Sequence, residues 1–136
     1  MPRAAPGPES LNLPADLTVL LADDEPAVRR AAARILRRAG ATVLEAVNGR
    51  EAVEMFAADR DRIQAVILDV TMPELNGREA YTAIRAQHPT VPVIFSSGYD
   101  EQDVGRMDGD PKVTFLPKPY RAETLVARVR DAAGLT

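Results

Sequence analysis

The 136-residue chain is expected to fold as a doubly wound α/β domain. Three observations lead there. Short apolar runs alternate with stretches of helical spacing along most of the chain. One run, AVILDV at 65–70, is apolar throughout except for Asp69, as a strand buried on both faces of a parallel sheet must be. The length suits one compact domain, for which about 100–150 residues is usual.

The elements follow in order. TVLLA at 18–22 is the first strand and runs into Asp23-Asp24. Residues 26–39 carry Val28, Ala31, Ala32, Ile35, Leu36 and Ala39 on one helical arc, with Arg29, Arg30, Arg34, Arg37 and Arg38 opposite, and Gly40 stops the helix. Residues 42–46 form the second strand. Asn48 then caps a helix to about Ala58, with Glu51 at the capping-box position. The third strand is 65–70, and the third helix 77–87 is closed by His88-Pro89. Residues 91–97 and 113–116 are the fourth and fifth strands, and a last helix spans 121–133 with Leu125, Val126 and Val129 inward. Phe56 and Tyr81 sit at core spacing, and His88 is read as structural.

Two stretches depart from the alternation. Residues 1–17 hold four of the eleven prolines without any period and read as a flexible leader or linker, leaving 18–134 as the folded unit. Between Tyr99 and Val113, DEQDVGRMDGDPK has two glycines, a proline and five acids. Each interior glycine costs a helix ~1 kcal/mol relative to alanine, so this fourth helix is expected to be short or irregular.

Composition removes several classes of function. A net charge of −3 gives no electrostatic grip on nucleic acid or anionic lipid. The absence of cysteine excludes disulfides, thiolate metal sites and a cysteine nucleophile, and His88 alone cannot build a histidine zinc site. No apolar run reaches the ~18 residues of a membrane span, and no signal-peptide core is present. A cytoplasmic domain without nucleic-acid binding or direct membrane insertion is expected.

Chemistry gathers where such sheets bind ligands, at the carboxyl ends of the strands. Asp23-Asp24 follow the first strand, Asp69 ends the third, Ser97 the fourth, and Lys118 follows the fifth. Clustered carboxylates repel unless a cation holds them ionised, and oxygen ligands alone select a hard ion, Mg²⁺ or Mn²⁺. Lysine beside such a site suits a phosphoryl oxygen. Fifteen of the 17 basic residues are arginine, so a lysine between Pro117 and Pro119 points to a geometry that a guanidinium does not meet.

The motifs LLADDE at 20–25, ILDVTMPELNG at 67–77, PVIFSSG at 92–98 and FLPKPY at 115–120 resemble the receiver domain of two-component response regulators, over about residues 17–134. FSSGY and FLPKPY are similar to receivers of hybrid histidine kinases. The resemblance implies a flavodoxin-like five-stranded parallel sheet in the order 2-1-3-4-5. It implies Asp69 as phosphoacceptor, Asp24 as direct Mg²⁺ ligand with the Thr71 carbonyl, and Asp23 as holder of a metal-bound water. Ser97 and Lys118 would bond the phosphoryl group, and Ser97 and Phe115 would form the conformational switch. Thr71 and Tyr99 would tune phosphate lifetime, with the Tyr99 ring slowing hydrolysis. Lys118-Pro119 falls where the family has a cis peptide. The implied partner is a histidine kinase or histidine phosphotransfer protein, docked against the first helix, and the implied state is a monomer or weak dimer.

On this view the chain is not an enzyme on other molecules; it catalyses only its own phosphorylation and dephosphorylation. A phosphatase of the haloacid dehalogenase class needs a second Asp two residues after the nucleophile, where Thr71 stands. A nucleotide-binding fold wants glycine or hydroxyl residues where ADDEP stands. The remaining alternative is an interaction module of the same fold that works without phosphorylation.

Overall fold

A computed structural model describes residues 12–98 and 109–134. Five strands, β1 (Thr18–Ala22), β2 (Thr42–Ala46), β3 (Ile63–Asp69), β4 (Val93–Ser97) and β5 (Val113–Pro117), form one parallel sheet in the order β2-β1-β3-β4-β5. Among the described residues there are four helices: α1 (Pro26–Arg38), α2 (Gly49–Asp59), α3 (Gly77–Gln87) and α4 (Ala122–Ala132). The fourth helix expected between β4 and β5 falls on 99–108, outside the described residues.

The pleat divides the core in two. Val19, Leu21, Ile67, Ile94 and Leu116 face α1 and α4, where Ala32, Ala33, Leu36, Leu125, Val126 and Val129 meet them. Leu20, Ala22, Val66, Leu68, Val93 and Phe95 face α2 and α3, against Ala52, Phe56, Ala80 and Ile84. β3 starts two residues before the apolar run because Ile63 pairs with Thr18 across a register irregularity. Exposed Gln64 interrupts the run there, and its Oε1 accepts from the Thr18 amide at 3.1 Å.

Caps behave as their residue types require. Asn48 Oδ1 accepts from the Glu51 amide at 2.8 Å, while the Glu51 carboxylate accepts from the amide of Val47, one residue outside the usual box. Asn76 and Glu79 make the full reciprocal box on α3. After α1, Gly40 takes φ +115°, and the amides of Gly40 and Ala41 donate to the carbonyls of Arg37 and Leu36. These two bonds form a Schellman turn.

Two expectations are corrected here. The packed chain begins before β1: Leu13 and Leu17, inside the stretch read as leader, are buried in the core on the α1 and α4 side. The Leu13 amide donates to the Ala39 carbonyl, and a Cβ on Gly40 would stand 2.5 Å from the Leu13 oxygen. Helix α1 is also rotated from the expected arc. Its inward face is Arg29, Ala32, Ala33 and Leu36, so Val28 and Ile35 are half-buried and Ala31 is exposed. Arg29 therefore does not share the solvated face of the other arginines. It donates to the Asp23 carbonyl at 3.0 Å and pairs with Glu45 at 3.2 Å, which anchors the turn after β1.

Candidate functional site

The register sets Asp69 beside Ser96 and Ser97 beside Pro117, so the carboxyl ends of β1, β3, β4 and β5 lie at one edge of the sheet. Asp23, Asp24, Asp69 and Lys118 converge there. One carboxylate oxygen from each of the three acids lies within 4.8 Å of the others. Lys118 Nζ stands 3.0 Å from Asp23 Oδ2, 3.5 Å from Asp69 Oδ1 and 3.9 Å from Glu25 Oε1. Asp23 and Asp69 are buried, whereas Asp24 is exposed.

Backbone contacts hold these groups in place. The Glu25 amide donates to Asp23 Oδ1 at 2.9 Å, and the Thr71 amide donates to Asp69 Oδ1 at 3.4 Å. Gly77 begins α3 directly against the end of β3. A Cβ there would lie 2.4 Å from the Asp69 carbonyl oxygen and 2.8 Å from Val70 Cα, both rigid backbone. Ser97 is buried at the end of β4, and its carbonyl accepts from the Lys118 amide at 2.8 Å. The Lys118-Pro119 peptide is cis. Thr71 is exposed beside Asp69, and Tyr99 lies outside the described residues. Phe115 is half-buried on the α2 and α3 side of the sheet, with its ring stacked on Phe95 at 6.1 Å.

The electrostatics are those of clustered carboxylates, two of them buried. Burial, then the neighbouring Asp23 charge, push the Asp69 carboxyl up to about 7, despite the opposing pull of Lys118. Burial works against the Lys118 ammonium, but its contacts with Asp23 and Asp69 outweigh that and raise it above the ordinary lysine value. Three oxygens within 4.8 Å approach the spacing of ligands on one Mg²⁺, which binds oxygen at about 2.1 Å. The donor set is all oxygen, so these residues fit a hard divalent ion.

Beside the site lies a surface that the sequence left unassigned. A cavity of about 560 Å³ is lined by Val28, Ala31 and Ile35 of α1, facing Tyr120, with Lys118 and Glu25 at its site end. The signal lies in the spacing, since Val28, Ala31 and Ile35 share an arc, but the same spacing predicts a core face. Exposed Arg30, Arg34, Arg37 and Arg38 lie further along the same helix.

No helix among the described residues is long and apolar enough to cross a membrane. The profile of the response regulator receiver domain matches residues 19–130. The chain is 38% identical over 124 residues to the sensor kinase CckA of Brucella abortus, covering 90% of this chain and 13% of that protein. It is 37% identical over 114 residues to the response regulator MprA of Mycolicibacterium vanbaalenii, covering 82% of this chain and 48% of the relative. The chain thus spans at most about half the length of these relatives. Among solved structures, the receiver domain of the hybrid histidine kinase CckA matches at TM-score 0.74 and 39% identity, over 88% of this chain and 99% of that one. CheY from Borrelia burgdorferi, crystallised with CheX, BeF3 and Mg²⁺, matches at TM-score 0.78 and 27% identity, over 85% of this chain and 87% of that one. The sheet order, the edge that gathers Asp23, Asp24, Asp69 and Lys118, and the profile match agree: the chain belongs to the response regulator receiver domain family.

Proposed function

We propose that the chain is a phosphoacceptor of a two-component or phosphorelay system, taking a phosphoryl group from a phosphohistidine onto Asp69. The observation that carries this reading is the Asp69 carboxylate, buried at a strand end with two acids and Lys118 around it. Mg²⁺ held by Asp24, Asp69 and the Thr71 carbonyl, with Asp23 acting through a water, would supply positive charge to the phosphoryl oxygens. The Borrelia relative crystallised with BeF3 and Mg²⁺ supports that ligand pair.

In the transfer, an Asp69 carboxylate oxygen forms the O–P bond as the P–N bond to the donor imidazole breaks, and the imidazole takes its proton from water. Lys118 offsets charge on an equatorial oxygen, and the surrounding protein dipoles need little rearrangement. The product adds charge beside Ser97, whose hydroxyl turns towards it. Phe115 then moves into the space released, which gives a two-state element biased by phosphate. Thr71, exposed beside Asp69, sets the lifetime of the acyl phosphate by limiting the approach of the hydrolytic water.

The donor is a histidine kinase or phosphotransfer protein docked on the apolar groove of α1 beside Lys118. A bare apolar strip next to the acceptor suits a helix that presents its phosphohistidine. Incubation with labelled acetyl phosphate tests the reading. The expected product is a Mg²⁺-dependent label that hydroxylamine removes, as it does an acyl phosphate. Label that survives hydroxylamine, or forms equally in chelator, contradicts it.

A further inference from the structure

Away from the site, α3 grips the chain just before β5. Tyr81 Oη and Arg85 Nε both donate to Asp110 Oδ2, the latter at 2.8 Å, and the Arg85 guanidinium lies 5.3 Å from the Tyr81 ring centre. Arg85 Nη1 also donates to the carbonyls of Val91 at 2.6 Å and His88 at 3.2 Å. The other carboxylate oxygen of Asp110 accepts from the Lys112 amide at 2.9 Å, and its carbonyl from Val113. Burial works to raise the Asp110 carboxyl, but the Tyr81, Lys112 and Arg85 donors together hold it below the ordinary value. The acid stays ionised and clamped at the entrance to β5.

A clamp of this kind is a poor choice for stability alone. Well-packed apolar residues hold a junction at least as firmly as a partly buried ion pair. Arg85 Nη2 is moreover buried with no hydrogen-bond partner among the described residues. What distinguishes the clamp is where the Tyr81 ring lies. Its centre is 5.6 Å from that of Phe95, and Phe95 stacks on Phe115 at 6.1 Å and 23°. Asp110 and Phe115 are thus linked twice, through the first residues of β5 and through the row Tyr81–Phe95–Phe115. A shift of the ring row therefore bears on the backbone before β5, and a shift of that backbone bears on the rings.

We infer that Tyr81 is a positioning residue of the switch: by joining Asp110 to the Phe95–Phe115 stack, it holds Phe115 in the stacked arrangement. The inference rests on the phosphoacceptor reading for the role of Phe115. Displacement of Phe115 breaks the Tyr81–Asp110 bond, and loss of that bond frees Phe115. The coupling is reciprocal, so the clamp and a phosphoryl group at Asp69 act on one equilibrium.

Phe115 is one of three phenylalanines, so the label goes to it alone. The full chain with 4-fluorophenylalanine incorporated site-specifically at position 115 is titrated with beryllofluoride and Mg²⁺, and its ¹⁹F resonances report two arrangements of Phe115. Tyr81→Phe keeps the ring and removes the hydroxyl. It is expected to lower the ratio of stacked to unstacked Phe115 about tenfold, the scale of one hydrogen bond to a charged group. Asp110→Asn is expected to lower it in the same direction. Ile84→Val, which trims the same helix on its buried face, is expected to reduce stability and leave the ratio unchanged. An unchanged ratio in both Tyr81→Phe and Asp110→Asn, beside a responsive wild type, overturns the inference and reduces the clamp to a staple. A wild-type Phe115 signal that does not respond to beryllofluoride and Mg²⁺ overturns the switch reading itself, and this inference with it.

Discussion

The ammonium of Lys118 lies closer to Asp23, at 3.0 Å, than to Asp69, at 3.5 Å. The lysine is therefore shared between a proposed metal-site acid and the proposed acceptor, and a cation among the acids would compete with it. Lys118→Ala is expected to bind Mg²⁺ several-fold more tightly, since a positive neighbour has gone. Phosphorylation by acetyl phosphate should nonetheless fall by about 10²–10³, the cost of removing one preorganised charge donor. Titration calorimetry and initial rates on one preparation check both; a parallel fall in affinity and rate would contradict this division of labour.

Asp69 makes the metal-free domain pH-sensitive. Its carboxyl is raised from 3.8 to about 7, so between these values the folded state holds the proton more tightly than the unfolded chain. The associated stability is present below about pH 4 and is lost as pH rises through about 7. Urea midpoints in chelator should fall over that window, and Asp69→Asn should flatten the slope and add ~1–3 kcal/mol at pH 8. Mg²⁺ requires the ionised carboxylate, so its affinity should weaken as pH drops below about 7, with proton release on binding.

Gly77 tests how closely α3 must approach the acceptor. A Cβ 2.4 Å from the Asp69 carbonyl oxygen has only backbone to displace. Gly77→Ala is expected to destabilise by ~1–3 kcal/mol and to slow phosphorylation by shifting Asp69. Chemical denaturation and acetyl phosphate rates read the two effects.

The outer face of α1 carries arginine without acidic neighbours in the helix, although the chain as a whole is acidic. Arg30→Glu with Arg34→Glu is expected to slow transfer from a phosphorylated histidine donor about tenfold, most at low salt. The acetyl phosphate rate should stay unchanged, because neither residue approaches Asp69. Equal slowing of both donors would remove the helix from partner docking.

Much of this molecule is legible in its sequence because the βαβ alternation repeats one physical problem. TVLLA, TVLEA and the β3 run are strand-like by period and composition, and Gly40 and Asn48 mark helix ends by their cap chemistry. The acids and Lys118 announce themselves by falling after strands, where a parallel sheet brings them together. Periodicity failed where a polar residue takes a core position. Arg29 shares the helical spacing of Ala32, Ala33 and Leu36, yet its charge predicts an outward position and shifts the expected α1 arc by about one residue. Leu13 and Leu17 escaped because prolines around them mask any period. The Tyr81–Arg85–Asp110 clamp joins residues up to 29 positions apart, and no local pattern encodes such a pairing.

The proposed chemistry turns on Asp69 accepting a phosphoryl group. Intact mass after incubation with Mg²⁺ and acetyl phosphate reads that event, with Asp69→Asn and a chelated sample alongside. A gain of one phosphoryl group is expected in the wild type and in neither control. A folded, Mg²⁺-binding wild type that gains no mass, or an Asp69→Asn variant that gains as much, would contradict it.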